Sequence, residues 1–166
     1  MKISLIRALF LVLALGLTGC GSSSKKGTGT GAVGEGGGDG DMTLELNADS
    51  DSNKAGGLKS VYFDFDSSQL SSSARSTLDG NAAFLKGNEK VEVQVEGHCD
   101  ERGGVQYNLA LGENRAKAVK EYLVALGVGA KRVTTISFGK ERPVSFGHSD
   151  DAWSKNRRGN FVVTAK

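Results

Sequence analysis

The 166-residue chain holds one proline, two cysteines, two histidines and one tryptophan, and each scarcity excludes something. A single proline rules out a proline-rich rod. Two cysteines cannot build the disulfide framework of a small secreted scaffold. Two histidines, His98 and His148, on separate segments do not supply a zinc ligand set, so no metal or other cofactor is expected. No apolar run approaches the roughly 20 residues of a membrane-spanning helix. The longest, ALFLVLALGL at residues 8–17, has about half that length.

What is present begins with that run. Lys2 and Arg7 precede it as a short positive region, which reads as an export signal. LTGC at residues 17–20 follows, with small residues before the cysteine, and resembles a bacterial lipobox. The expectation is a signal peptide over 1–19 and a mature chain starting at Cys20, acylated on its thiol and new amine. Several acyl chains, at about 0.8 kcal/mol per buried methylene, anchor stably. Gly21 rather than Asp after the cysteine favours the outer membrane under the sorting rule of enteric bacteria. Without Lys2 and Arg7 the 21 basic residues fall to 19, equal to the 19 acidic ones. Overall charge therefore gives nucleic acid or an anionic lipid surface no support.

Residues 20–59 are rich in Gly, Ser, Thr, Asn and Asp, as in KKGTGTGAVGEGGGDGD. Such composition cannot bury enough surface to offset the entropy of ordering, so a flexible linker is expected, with a root-mean-square reach of roughly 30–35 Å. MTLEL at 42–46 is at most a transient strand. GEGGG lacks the lysine and strand of a phosphate loop.

A domain is expected over 60–166. VYFDF alternates as a strand that turns Val61, Phe63 and Phe65 to one face. Leu70, Ala74, Leu78, Ala82 and Leu85 recur at helical spacing. KVEVQVEG points Val91, Val93 and Val95 inward. A helix over about 107–126 turns Leu111, Ala118, Tyr122 and Leu126 to a core, with Asn108 as N-cap and Gly127 just past its end. RVTTISFG and GNFVVTAK add two strands, with a short helix near 151–157 between them. This order predicts an α+β two-layer sandwich, helices on one face of a four-stranded mixed sheet.

Between the second strand and its helix lies VEGHCDERGGVQYNLALGENRAKAV, residues 95–119. Asp100 opens the turn, Gly103 and Gly104 allow either sign of φ, and Arg115 stands roughly 10 Å up the helix from Asn108. The two charges either neutralise each other or cradle a zwitterion. Two further alternatives concern charge. Asp100 and Glu101 raise the idea of a carboxylate hydrolase, but no apolar pocket is evident to raise the pKa of either. KNRRG at 155–159 reads as a solvated helix end, with a basic recognition patch as the alternative. His98 reads as a polar loop residue and Cys99 as a small buried side chain. Trp153 fits either a core or a protein contact.

The spaced pattern Asp100, Gly103, Asn108, Leu111, Arg115-Ala116, Val119 resembles the signature of OmpA-like peptidoglycan-binding domains. GHCDERG, YFDFDSS, SFGKERP and NRR resemble the lipoprotein branch of the Tol-Pal system. The likeness covers about residues 61–164, and Gly104-Val105 departs from the bulkier family loop. It implies non-covalent binding of peptidoglycan through meso-diaminopimelate, without catalysis, with Asp100 on the ammonium and Arg115 on the carboxylate. It also implies that Asn108, Leu111, Gly103, Phe65 and Asp66 line the groove. TolB and other Tol-Pal components are the implied partners, the periplasmic face of the outer membrane is the implied location, and envelope integrity and cell division are the implied roles.

Overall fold

The computed structural model describes residues 44–166. The expected signal peptide, Cys20 and the first part of the linker lie outside the described residues. Four strands and three helices follow one another: β1 (Val61–Tyr62), α1 (Ser72–Gly87), β2 (Glu92–His98), α2 (Val105–Ala125), β3 (Val133–Gly139), α3 (Asp150–Asn156) and β4 (Arg158–Ala165). The sheet order is β1-β4-β2-β3, with β2 and β3 parallel and the other pairs antiparallel. The expected α+β sandwich with a mixed four-stranded sheet is the one found.

Alternation along the strands separates the faces. Val93 and Val95 of β2 stand opposite Val163 and Phe161 of β4, and all four are buried under Ala74, Leu78, Ala82 and Leu85 of α1 and Ala116, Val119 and Leu123 of α2. Ser71 caps α1 by accepting from the Ala74 amide at 3.2 Å. Helix α2 ends on Gly127 at φ 93, with the Gly127 amide donating to Val124 and the Val128 amide to Leu123. This is the Schellman arrangement expected of that glycine.

Three expectations about the elements need correction. The strand at VYFDF stops at Tyr62; the chain then turns through Asp66 at φ 53, so Phe65 swings outward to 60% exposure instead of joining Val61 and Phe63. Helix α2 starts at Val105 with Gly104 as its cap, and Asn108 is inside it. Its buried face is Asn108, Gly112, Arg115, Ala116, Val119 and Leu123, while Leu111, Ala118, Tyr122 and Leu126 are only half-buried. A glycine, an asparagine and an arginine on the buried stripe hide it from a hydrophobic pattern.

The linker expectation is corrected over residues 44–59. Leu44, Ala55 and Leu58 join the core, and Asn47 to Ser50 run along β4 beyond the short β1. The Asn47 and Ser50 amides donate to Val163 and Phe161 at 2.9 Å each, and the Val163 amide returns a bond to Ala48. Asn81 of α1 holds the next stretch, exchanging bonds with both the amide and the carbonyl of Lys59. Backbone pairing and a few small apolar residues order a segment whose composition alone reads as solvated.

Gly97 and Gly112 set the height of α2 over the sheet. A Cβ at Gly97 would lie 1.8 Å from the Gly112 carbonyl oxygen, so helix and strand meet backbone to backbone. This contact brings the buried side of α2, three residues beyond Gly112, against the end of β2.

Candidate functional site

At the carboxyl end of β2 the chain enters the turn that sequence reading singled out. Lys140 donates to the carbonyls of Gly103 and Glu101 at 2.7 and 3.1 Å. Asn108 donates to those of Arg102 and Gly104 at 2.8 and 3.1 Å. Asn108 is thus no helix cap, but it satisfies the turn's carbonyls from inside α2. The loop is therefore held by two side chains from outside it.

The turn encloses a cavity of about 160 Å³. All seven residues expected in a site line it: Asp100, Gly103, Asn108, Leu111 and Arg115 from β2's exit and α2, and Phe65 and Asp66 from the turn after β1. Asp66 also accepts a hydrogen bond from the Tyr107 hydroxyl.

Asp100 and Arg115 do not pair with each other. Arg115 is fully buried, and its guanidinium donates to three backbone carbonyls: Nε to Ser67 at 2.8 Å, Nη1 to His98 at 2.8 Å and Nη2 to Asp64 at 3.0 Å. A guanidinium has five N–H groups, so one on each terminal nitrogen remains without a bond among the described residues. Among the described residues no carboxylate lies within the 4.0 Å ion-pair distance. Burial pushes its pKa below the ordinary guanidinium value.

Asp100 is 4% exposed and carries two other arginines. Arg102 donates from Nη2 at 2.7 Å, from Nε at 3.2 Å and from its backbone amide at 3.1 Å, and Arg157 from Nη1 at 3.3 Å. Burial raises the carboxyl's pKa, but these bonds outweigh it and hold the group below the usual aspartate range. Arg102 in turn is sandwiched between the rings of Phe65 and Trp153, at 3.9 and 4.1 Å from their centroids. A cation thus already sits on the Asp100 carboxylate between two aromatic faces, which is the environment an ammonium ligand would use.

Sequence reading missed Arg102, Arg157 and Tyr107, all of which line the cavity. Arg102 and Tyr107 stood within the quoted stretch, but nothing in their spacing marks them. Arg157 was read as part of a solvated helix end, and that reading is corrected. Arg157 reaches Asp100 and the Phe63 carbonyl, and Arg158 is buried against Asp51 at 2.6 Å. His98 is likewise no loop residue. It ends β2 with 1% exposure, near Glu96 at 3.4 Å and stacked on Phe138. Cys99 is buried as expected. Trp153 belongs to the rim of this site, where its indole N–H donates to Glu101 at 2.8 Å.

The carboxyl pair at 100 and 101 offers no general acid. Both groups are held below their ordinary pKa, Asp100 by its arginines and Glu101 by hydrogen bonds from His148 and Trp153. Glycoside hydrolysis needs one carboxyl raised enough to be protonated at working pH.

The sequence model of the OmpA family matches residues 62–157. The chain belongs to the OmpA family. The peptidoglycan-associated lipoprotein of Pseudomonas aeruginosa is 50% identical over 101 residues, covering 61% of this chain and 60% of that protein. That of Pasteurella multocida is 50% identical over 99 residues, covering 60% and 66%. The match thus spans about three-fifths of the length of these curated relatives. Among solved structures, the peptidoglycan-associated lipoprotein from Burkholderia pseudomallei aligns with a TM-score of 0.61 at 43% identity, over 63% of this chain and 89% of that one. The C-terminal domain of Helicobacter pylori MotB reaches the same TM-score at 20% identity, covering 66% and 87%, which speaks for the fold alone. The site described here falls within the matched OmpA-family segment.

Proposed function

We propose that this OmpA-family domain binds peptidoglycan non-covalently and without turnover, taking the free end of meso-diaminopimelate in the stem peptide. The observation that carries the reading is Arg115: a buried guanidinium held by three backbone carbonyls and the face of Phe63, with no carboxylate in ion-pair contact among the described residues, in the wall of a cavity shared with Asp100. A buried charge is costly unless an opposite charge reaches it. A carboxylate entering this cavity would supply that charge and accept two parallel bonds from the fork. The ammonium on the same ligand carbon meets the Asp100 carboxylate, sharing it with Arg102 or displacing that side chain from between Phe65 and Trp153. Leu111 and the Phe65 ring line the rest of the cavity, and Asn108 and Gly103 set the shape of the turn.

Charge-assisted hydrogen bonds contribute about 1.5–3 kcal/mol each, and association entropy offsets much of their sum. A single site of roughly micromolar affinity is expected. Many lipid-anchored copies facing a polymer would hold by avidity. The relatives' name, peptidoglycan-associated lipoprotein, supports a lipoprotein that associates with the wall. The lipobox and the motif resemblance extend the proposal to an anchor through Cys20 in the outer membrane, a place in the Tol-Pal system with TolB as a protein partner, and a role in envelope integrity and cell division.

Co-sedimentation of the chain with purified sacculi tests the binding. Wild type should pellet with the wall and release no muropeptides, while Asp100→Ala, with an unchanged melting temperature as control, should remain in the supernatant. Undiminished pelleting of Asp100→Ala would refute the assignment, and released fragments would point to an enzyme instead.

A further inference from the structure

Arg157 stands in the wall between two depressions. One side lines the cavity of Asp100 and Arg115. The other lines an open groove of about 400 Å³ formed with Tyr62, Asp64, Ser71, Ser154 and Lys155. Arg157 is fixed there by its bonds to the Phe63 carbonyl and the Asp100 carboxylate, and its side chain is still partly open to solvent. A second neighbouring cavity is joined to the site only through Cys99, which is buried and offers no open path. A ligand longer than the main cavity can therefore continue into the groove past Arg157, whose side chain lines both.

The groove is not a plain surface dent. Tyr62 and Asp64 alternate with the buried Val61 and Phe63, which turns both outward, and Tyr62 is 54% exposed. Lys155 is exposed in the last turn of α3, and its ammonium has neither an ion pair nor a hydrogen bond among the described residues. Asp64 and Lys155 thus share the groove without joining each other. One anion and one cation, both without an ion pair among the described residues, suit a peptide that carries a carboxylate of its own and amide N–H groups.

We infer that this groove is a second subsite for the stem peptide, with Lys155 receiving the free α-carboxylate of the D-isoglutamate that precedes diaminopimelate and Asp64 accepting from a peptide N–H. The inference rests on the binding mode proposed above. The subsite requires that, with the diaminopimelate tip in the main cavity, its peptide-linked amino end leave beside Arg157, which lines both depressions. The isoglutamate is the adjoining residue, within roughly the 7 Å that two residues of extended chain span. The glycan is joined through L-Ala, one residue beyond the isoglutamate, so the isoglutamate is the nearer of the two to the diaminopimelate tip.

Calorimetry on the full chain in detergent micelles at low ionic strength tests this with three probes: free meso-diaminopimelate, the tripeptide L-Ala-γ-D-Glu-meso-diaminopimelate, and that tripeptide amidated on the isoglutamate α-carboxylate. Wild type should bind the free-acid tripeptide about two- to five-fold more tightly than the amidated one, the range for an exposed ion pair. Lys155→Met should abolish that preference while leaving diaminopimelate affinity unchanged. Equal affinity of wild type for the two tripeptides, or a preference that survives in Lys155→Met, overturns the subsite. A gain that arises only when the disaccharide is attached overturns it in favour of glycan. Absence of diaminopimelate binding refutes the underlying binding mode as well, so the two failures are told apart by the first probe.

Discussion

Arg115 and Arg158 are both buried, at 0% and 3% exposure, on opposite faces of one sheet, and they are neutralised in different ways. Arg158 has an internal counter-ion: its Nε meets Asp51 at 2.6 Å, and Asp51 is itself held by Ser60. Beside it, Ser50, Asn160 and Glu96 continue the chain of side-chain bonds. Arg115 has three backbone carbonyls and the Phe63 ring but no carboxylate in ion-pair contact among the described residues, and it lines a cavity. Charge burial closed within the chain ties elements of the fold together, whereas charge left open on one side leaves room for the proposed ligand. The back of the sheet is therefore read as structure, and its loop end as a binding site.

The sharpest way to break this contrast is to weaken each arginine in turn. Arg115→Lys keeps the charge but cannot span three carbonyls and still present a planar fork. Wall retention in the sacculus assay should fall at least about tenfold, well beyond any loss of fold seen by urea unfolding. Arg158→Met should do the reverse, leaving retention unchanged while costing about 3 kcal/mol of stability, because Asp51 is stranded. If Arg115→Lys retains the wall like wild type, the open-charge argument fails.

A smaller effect sharpens the comparison from the closed side. Replacing both members of the back-face pair, Asp51→Leu with Arg158→Met, should recover most of the stability lost in the single variant, to within about 1 kcal/mol of wild type, because no lone charge remains buried. Urea unfolding followed by Trp153 fluorescence measures it. No equivalent double substitution exists for Arg115, whose partners are main-chain carbonyls. Failure of the double variant to recover would show that Asp51 and Arg158 hold the 44–59 segment by more than their mutual charge.

The contrast also explains what the sequence could disclose. Periodic apolar residues marked α1 and β2 correctly because there the buried face is apolar. The buried stripe of α2 was displaced because Asn108, Gly112 and Arg115 occupy it, each for a backbone reason: carbonyl satisfaction, close approach to Gly97, and the donor fan to the turn after β1 and the end of β2. Residues 44–59 were taken for linker because edge pairing against β4 depends on main-chain groups and leaves little trace in composition. The site residues were legible as a spaced pattern. The partners of Asp100 were not, since Arg102 and Arg157 reach it by side-chain reach across a turn and from a distant helix end, which no local periodicity encodes.

The smallest predicted effect concerns His98, whose backbone carbonyl accepts from Arg115 while its ring belongs to the back face. Burial pushes its pKa below the ordinary imidazole value, against the raising influence of Glu96. Facing it are Glu96 on its own strand, Arg158 on β4, Asp51 from the N-terminal segment and Arg142 beyond β3. The ring's Nδ1 has no hydrogen-bond partner among the described residues. In the unfolded chain this imidazole takes up a proton near pH 6.5, and in the native state only at lower pH. Between those values the unfolded state binds more protons, so stability falls as pH drops. The melting temperature should therefore hold above about pH 7 and decline from pH 6.5 towards the native pKa. In His98→Gln that part of the slope should vanish. Asp100 titrates in a separate window, because its native pKa lies below the ordinary aspartate value. Its contribution is complete above about pH 5 and is lost as pH falls further. Wall retention should accordingly stay level between about pH 5.5 and 7 while the melting temperature moves. A parallel fall in both would show that the closed face and the open one are linked through the His98 carbonyl.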